Sequence, residues 1–243
     1  MTLSIIVPNV TFPRRTQLYK IPALDRNHVF ALFGASREKS LINLNASQPN
    51  GVVVGDVEFT TEGLFTLGNS NGVRFKGFRT PNFAGCTLMV AFKTGARAGD
   101  AGLVSLWSEA SLSADTLARR IYSTVNGGSA NYNGVPGVLT AMADRLLTPD
   151  TEYIMSLTRA IKGATSQLRV HKPDGSVASI HGITELPNTT LPYATDVVFD
   201  VGTASNVAQI GAYVKSAALW SGSMTEAEIA AGAALMYQVT HPA

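Results

Sequence analysis

At 243 residues, with 45% hydrophobic and only 15% charged side chains and 22 glycines, the chain has ample material for one large core and the turn content of a β protein. A formal net charge of +2, from 19 basic and 17 acidic residues, argues against a nucleic-acid partner, and the adjacent pairs Arg14-Arg15 and Arg119-Arg120 read as solvated surface. A single cysteine, Cys86, excludes an internal disulfide framework, and no stretch approaches the roughly 20 apolar residues of a membrane span.

The start, MTLSIIVPNV, has no basic region and too short an apolar run for a signal peptide, so folding in a reducing cytosol is expected. Residues 1–39 fit a sandwich pattern poorly and read as an N-terminal arm or lid that serves assembly. Leu3 to Val7 is a short strand stopped by Pro8. Pro13 and Pro22 bracket an irregular stretch, and Asp25 to Ser36 reads as a short helix or turn. From residue 40 to 243 the rhythm is that of short strands. Apolar runs from Leu41 to Phe59 are cut by Asn-Gly and Gly-Asp, and Asn69-Ser70-Asn71-Gly72 is a turn. Cys86 to Lys93 and Ala101 to Ser108 are the most apolar strands. Cys86 shares a face with Leu88, Val90 and Phe92, so it is expected buried.

Ile121, Ser123 and Val125 alternate with Tyr122 and Thr124 and lead into Asn126 to Gly134, the longest glycine- and asparagine-rich loop. Val138 to Ala143 and Tyr153 to Arg159 are further strands. Gln167 to His171 and Ser176 to His181 form the clearest hairpin, its turn Lys172-Pro173-Asp174-Gly175 having proline and glycine where a type I turn prefers them. Leu186 to Asp196, with two prolines, is a loop. In the last strand Ile210, Ala212, Val214 and Ser216 fall on one face, and Tyr213, Lys215, Ala217 and Leu219 on the other. After Ser221-Gly222-Ser223 a helix begins, with Thr225 as N-cap and Glu228 three residues on. Met224 and Ile229 are placed to form a hydrophobic staple, and Gly232 is expected to end or loosen the helix. Many short strands with frequent turns predict an all-β, two-sheet antiparallel sandwich closed by one short C-terminal helix.

The closing segment, Ala218-Leu219-Trp220-Ser221 followed by Met224-Thr225-Glu226-Ala227-Glu228-Ile229, resembles that of concanavalin A-like (laminin-G-like) jelly-roll domains. Ser40 to Leu44, Gly51 to Asp56 and Thr87 to Phe92 resemble the opening of the same domain in phage and prophage tail-associated proteins. The resemblance spans roughly residues 40–237. It implies a jelly roll on a virion: a tail, fibre or decoration protein made in the host cytoplasm, touching other virion proteins, assembled as a homo-oligomer such as a trimer, and displaying a lectin-like sandwich to a host surface glycan. The alternatives that resemblance leaves are a glycan-cleaving depolymerase on the same scaffold and a purely structural assembly subunit.

Glycan cleavage needs two carboxylates flanking the scissile bond, which period-two spacing on one strand would supply. The nearest approach is Asp56-Val57-Glu58, where Asp56 reads more simply as a turn residue, so no catalytic residue is assigned and no turnover is expected. The sequence has no G-x-S-x-G elbow, no phosphate loop and no cysteine–histidine cluster, and neither metal nor cofactor is expected. Sugar binding asks for an aromatic face and planar amides. Asn126, Asn131, Tyr132 and Asn133 offer these in one loop, with Trp107 and Tyr122 on flanking strands; Tyr132 is the first choice, as an aromatic in a polar loop with little core to enter. The alternative reading, that Trp107 is core and the asparagines only make turns, stays open.

Overall fold

The computed structural model describes residues 20–66, 71–79, 85–95, 101–108, 119–123, 130–133, 141–143, 148–159, 165–184, 197–202 and 211–242. In chain order, a single 3-10 turn at Leu24–Arg26 precedes β1 (Asn27–Leu32), α1 (Arg37–Ser40), β2 (Val52–Val54), β3 (Glu58–Thr60), β4 (Gly63–Phe65), β5 (Gly72–Lys76), β6 (Cys86–Thr94) and β7 (Ala101–Ser108). There follow β8 (Arg119–Ser123), β9 (Ala130–Asn133), β10 (Ala141–Ala143), β11 (Glu152–Arg159), β12 (Thr165–His171), β13 (Val177–Thr184), β14 (Val197–Val201), β15 (Ala212–Ser221) and α2 (Glu226–Thr240). Two antiparallel sheets face each other. Sheet A runs β13-β12-β11-β6-β15-β4-β3, with β1 also paired to β15, and sheet B runs β10-β9-β8-β7-β14-β5-β2.

The core between the sheets follows from period-two alternation. Cys86, Leu88, Val90 and Phe92 of β6 point inward with Leu219 of β15, against Phe75, Leu106 and Phe199 from sheet B. Cys86 is buried, as its position in that alternation requires. The β12–β13 hairpin closes through the expected turn: Gly175 N donates to Lys172 O (2.9 Å) and Gly175 adopts φ +84°, a left-handed backbone.

Three local readings change in the fold. First, β15 carries a bulge: its register with β6 shifts between Val214 and Ser216. The extra residue, Lys215, inverts the alternation. Ala212, Val214, Ala217 and Leu219 therefore share the core, although strict alternation separates the first two from the last two. Second, Asn27–Leu32, expected as a short helix or turn, is a strand paired with β15 from Asn27↔Trp220 to Leu32↔Ser216. Val29, Phe30 and Ala31 are buried, so this part of the N-terminal segment packs as part of the sandwich. The free edge of β1 is covered by the next loop. Leu44 N donates to Phe30 O (2.8 Å), Asn43 Nδ2 to His28 O (2.9 Å) and Asn45 Nδ2 to Asn27 O (2.6 Å), while Asn43 Oδ1 accepts from Phe30 N (3.1 Å). Two buried asparagines thus do the work of a neighbouring strand. Of the arm expected over residues 1–39, residues 1–19 lie outside the described residues.

Third, α2 runs through Gly232 to Thr240. Its start is the expected capping box: Glu228 N donates to Thr225 Oγ1 (3.3 Å) and Thr225 N to Glu228 Oε2 (2.8 Å). The Thr225 N–H holds the Glu228 carboxyl below its usual range. Met224 and Ile229 join the same buried cluster. The helix lies on the outer face of sheet A, where Ile229, Ala233 and Met236 cover Met89, Ala91, Ile154, Ala218 and Trp220. The helix packs tightly at Gly232, where a Cβ would sit 2.9 Å from Met89 Sδ. Contact with the sheet outweighs the weak helix propensity of glycine. Residues 21–23 flank the helix, and Trp220 Nε1 donates to Pro22 O (2.8 Å). Among the described residues no helix is long and apolar enough to cross a membrane.

Candidate functional site

Helix α2 packs on the outer face of sheet A; among the described residues, the outer face of sheet B holds a cluster of polar and aromatic side chains around Asp200. In β14, Val197, Phe199 and Val201 enter the core, so Val198 and Asp200 fall on the opposite face. Asp200 stands in register with Arg74 of β5 and Ser105 of β7, and Val198 with Lys76 and Trp107. The Asp200 carboxylate is almost fully buried and accepts three hydrogen bonds. Arg74 Nε donates to Oδ1 (2.8 Å), Arg74 Nη2 to Oδ2 (3.0 Å) and Trp107 Nε1 to Oδ2 (2.9 Å). The Arg74 guanidinium lies over the indole, 4.8 Å from the ring centroid. A buried carboxylate is tolerable only with such partners, and a bidentate guanidinium is the strongest of them. The geometry therefore fixes the indole and the guanidinium against each other: Asp200 ties down one edge of each, and the cation–π contact joins their faces.

The rows of this sheet place the residues singled out from the sequence. One row runs Val52–Arg74–Asp200–Ser105–Arg120–Asn133, across β2, β5, β14, β7, β8 and β9. Two residues along, Tyr122 of β8 pairs with Asn131 of β9, which pairs with Met142 of β10. By backbone register, Trp107, Tyr122, Asn131 and Asn133 thus belong to the same alternation as Asp200 and Arg74. Tyr132 falls in the other one: it pairs with Ile121 and Ala141, and Ile121 pairs with the buried Val104. The expected loop is shorter than its composition suggests, because Ala130–Asn133 is strand β9. Asn126 lies outside the described residues.

Sequence reading missed Arg74 and Asp200. The available signal was a lone acid in the apolar strand Val197-Val198-Phe199-Asp200-Val201, which demands a buried partner without naming it. Of the residues weighed for hydrolysis, Glu58 is exposed on β3 at the edge of sheet A, away from this face, and Asp56 follows the turn glycine Gly55 (φ +70°). Among the described residues no group of three or more His, Cys, Asp or Glu side chains is placed to hold a metal ion.

Two antiparallel sheets packed face to face, with the closing strand feeding a helix laid on one of them, define a concanavalin A-like sandwich. No protein-family model matches the chain, and no curated protein matches its sequence. Solved structures match the fold. The botulinum neurotoxin serotype D binding domain superposes with a TM-score of 0.57 at 10% identity, over 89% of this chain and 52% of that one. The ligand-binding domain of serotype D, solved with N-acetylneuraminic acid, gives 0.54 at 10% identity over 89% and 51%. The Trypanosoma rangeli sialidase gives 0.59 at 14% identity over 96% of this chain and 35% of that one. The chain spans about half of the neurotoxin domains and about a third of the sialidase. At such identities the likeness is one of fold.

Proposed function

We propose that the protein is a lectin-like sandwich that binds a cell-surface glycan across the outer face of sheet B, without turning it over. The carrying observation is the Asp200 clamp, which holds Trp107 and Arg74 against each other in the alternation that contains Tyr122, Asn131 and Asn133. An indole offers a flat face to a sugar ring, and a guanidinium and amides match hydroxyl and carboxylate oxygens. The neurotoxin domain solved with N-acetylneuraminic acid supports a sialylated glycan as the ligand class. The likeness of Ser40 to Leu44, Gly51 to Asp56 and Thr87 to Phe92 to the opening of phage and prophage tail-associated domains supports a place on a virion, as a homo-oligomer contacting other virion proteins. Mass spectrometry of purified particles and light scattering test that setting.

The binding test is a glycan array of sialylated and matched asialo ligands, followed by titration. Tyr122→Ala and Asn131→Ala are expected to weaken binding about tenfold or more each, with the melting temperature held. Binding unchanged by both substitutions moves the site off this face, and an array without any bound glycan rejects the lectin reading. Reducing ends released by pure protein, and lost in Glu58→Gln, would replace it with the hydrolase alternative.

A further inference from the structure

The outer face of β12, beneath α2, holds two cationic side-chain types two residues apart. Arg169 is in register with Ser156 and Ile180, and His171 with Ile154 and Val177. Arg169, 2% exposed, is bonded to Glu226 in the first turn of α2, to Gln167, and to Thr158 Oγ1 (3.3 Å). His171, 6% exposed, meets Gly175 O through Nδ1 (3.2 Å) and Ser156 Oγ through Nε2 (2.8 Å). A carbonyl only accepts, so Nδ1 carries the ring proton and Nε2 accepts from the Ser156 hydroxyl. The neutral ring is thereby fully satisfied.

A second proton changes that arrangement. It forces the buried Ser156 hydroxyl to turn its hydrogen away, and it puts a second cation beside Arg169 under the same helix. The carboxylates on the facing elements already have partners of their own. On α2, Glu226 already binds Arg169, and Tyr237 stacks on His241 at a centroid distance of 4.1 Å. On β11, Glu152 is taken by Lys215 of the β15 bulge and by His241 (2.6 Å), and Tyr153 lines the same hollow. In the hairpin turn Lys172 and Asp174 are exposed, and Asp174 accepts from Ser176 N (2.9 Å). His171 lines a hollow with Pro173 of that turn and with Tyr237, Thr240 and His241 at the end of α2, and the turn packs against the helix at Ala230 and Ala234. The helix layer also has its own apolar cluster, separate from the core between the sheets.

We propose that His171 is an acid-sensitive latch: its protonation releases α2 from sheet A while the two-sheet core stays folded. The sign follows from burial, which lowers the histidine pKa in the docked state, helped by Arg169 and opposed by the Gly175 carbonyl and Glu226. The docked state binds the proton less well than the released one, so docking weakens as pH falls below the ordinary histidine value of about 6.5. Release would uncover the apolar strip of Met89, Ala91, Ile154, Ala218 and Trp220.

The test is amide hydrogen exchange on the full chain, corrected for intrinsic rates, with binding of a hydrophobic dye, from about pH 7 to about pH 4. The expected result is a loss of protection in 229–236 of about tenfold or more, with dye binding, while strands β7 and β14 keep theirs. In His171→Gln, which cannot titrate, that transition disappears or moves down by about one pH unit or more. In Glu226→Gln, which removes the counter-charge of Arg169, it moves up. His28→Gln leaves it in place. Loss of protection in both layers together, an unchanged midpoint in His171→Gln, or a downward shift in Glu226→Gln overturns the proposal. If His171→Gln does not fold, the direction of the Glu226→Gln shift decides.

Discussion

Gly175 is the residue through which the β12–β13 turn touches α2, and replacing it with alanine tests how far that helix is bound into the fold. Two terms add. At φ +84° an L side chain meets a steric penalty of about 1 kcal/mol. A Cβ would also fall well inside contact distance of the Ala230 carbonyl oxygen, and 3.0 Å from both N and Cβ of Ala234. These are mostly backbone atoms of a packed helix, so the turn or α2 must shift. Overpacking of that kind costs about 1–3 kcal/mol. The expected total is about 2–4 kcal/mol, read as a lower midpoint in urea unfolding at constant slope. Gly77→Ala supplies the control. Its φ is +72°, but a Cβ there meets nothing within 4 Å, so only the backbone term of about 1 kcal/mol remains. If the two variants lose equal stability, the turn does not press on the helix and the description of the second layer is wrong.

Thr225→Ala should cost about 1 kcal/mol in the same unfolding assay, because it removes an N-cap in a complete capping box; an unchanged midpoint would show that the cap carries no weight. Burial of His28 lowers its pKa to about 4. The folded state therefore resists protonation, and stability should fall as pH drops from about 6.5 through about 4, by on the order of 3 kcal/mol in full, a slope that His28→Gln should flatten. Asp200→Asn should cost about 2 kcal/mol, less than a fully buried pair because Arg74 keeps 23% side-chain exposure, and it should also weaken glycan binding by releasing Trp107. Binding retained in a destabilised Asp200→Asn would mean that the clamp supports the fold alone.

What the sequence by itself determined is whatever a few neighbouring residues decide. Thr225 and Glu228 are one helical turn apart, so the cap is a local contest that tertiary packing did not reverse. Pro173 and Gly175 define a turn through their own φ preferences. In β6 the alternation Cys86, Leu88, Val90 and Phe92 names the buried face because nothing interrupts it. From such elements the all-β sandwich with a closing helix was legible.

The tertiary structure decided the rest. The bulge at Lys215 is invisible in composition, yet it inverts the alternation of β15 and moves Ala217 and Leu219 onto the face of Val214. Asn27–Leu32 is a strand because the edge of β15 was open to it and Asn43 and Asn45 cover its far side. Gly232 ends nothing because the helix packs there against the sheet, where a Cβ would press on the end of the Met89 side chain. The candidate site depends on distance in the chain most of all. Arg74 and Trp107 stand 126 and 93 residues from Asp200. A buried carboxylate must find a cation and a donor, but which ones is settled only when the packing of the sheets sets the register of β5, β14 and β7.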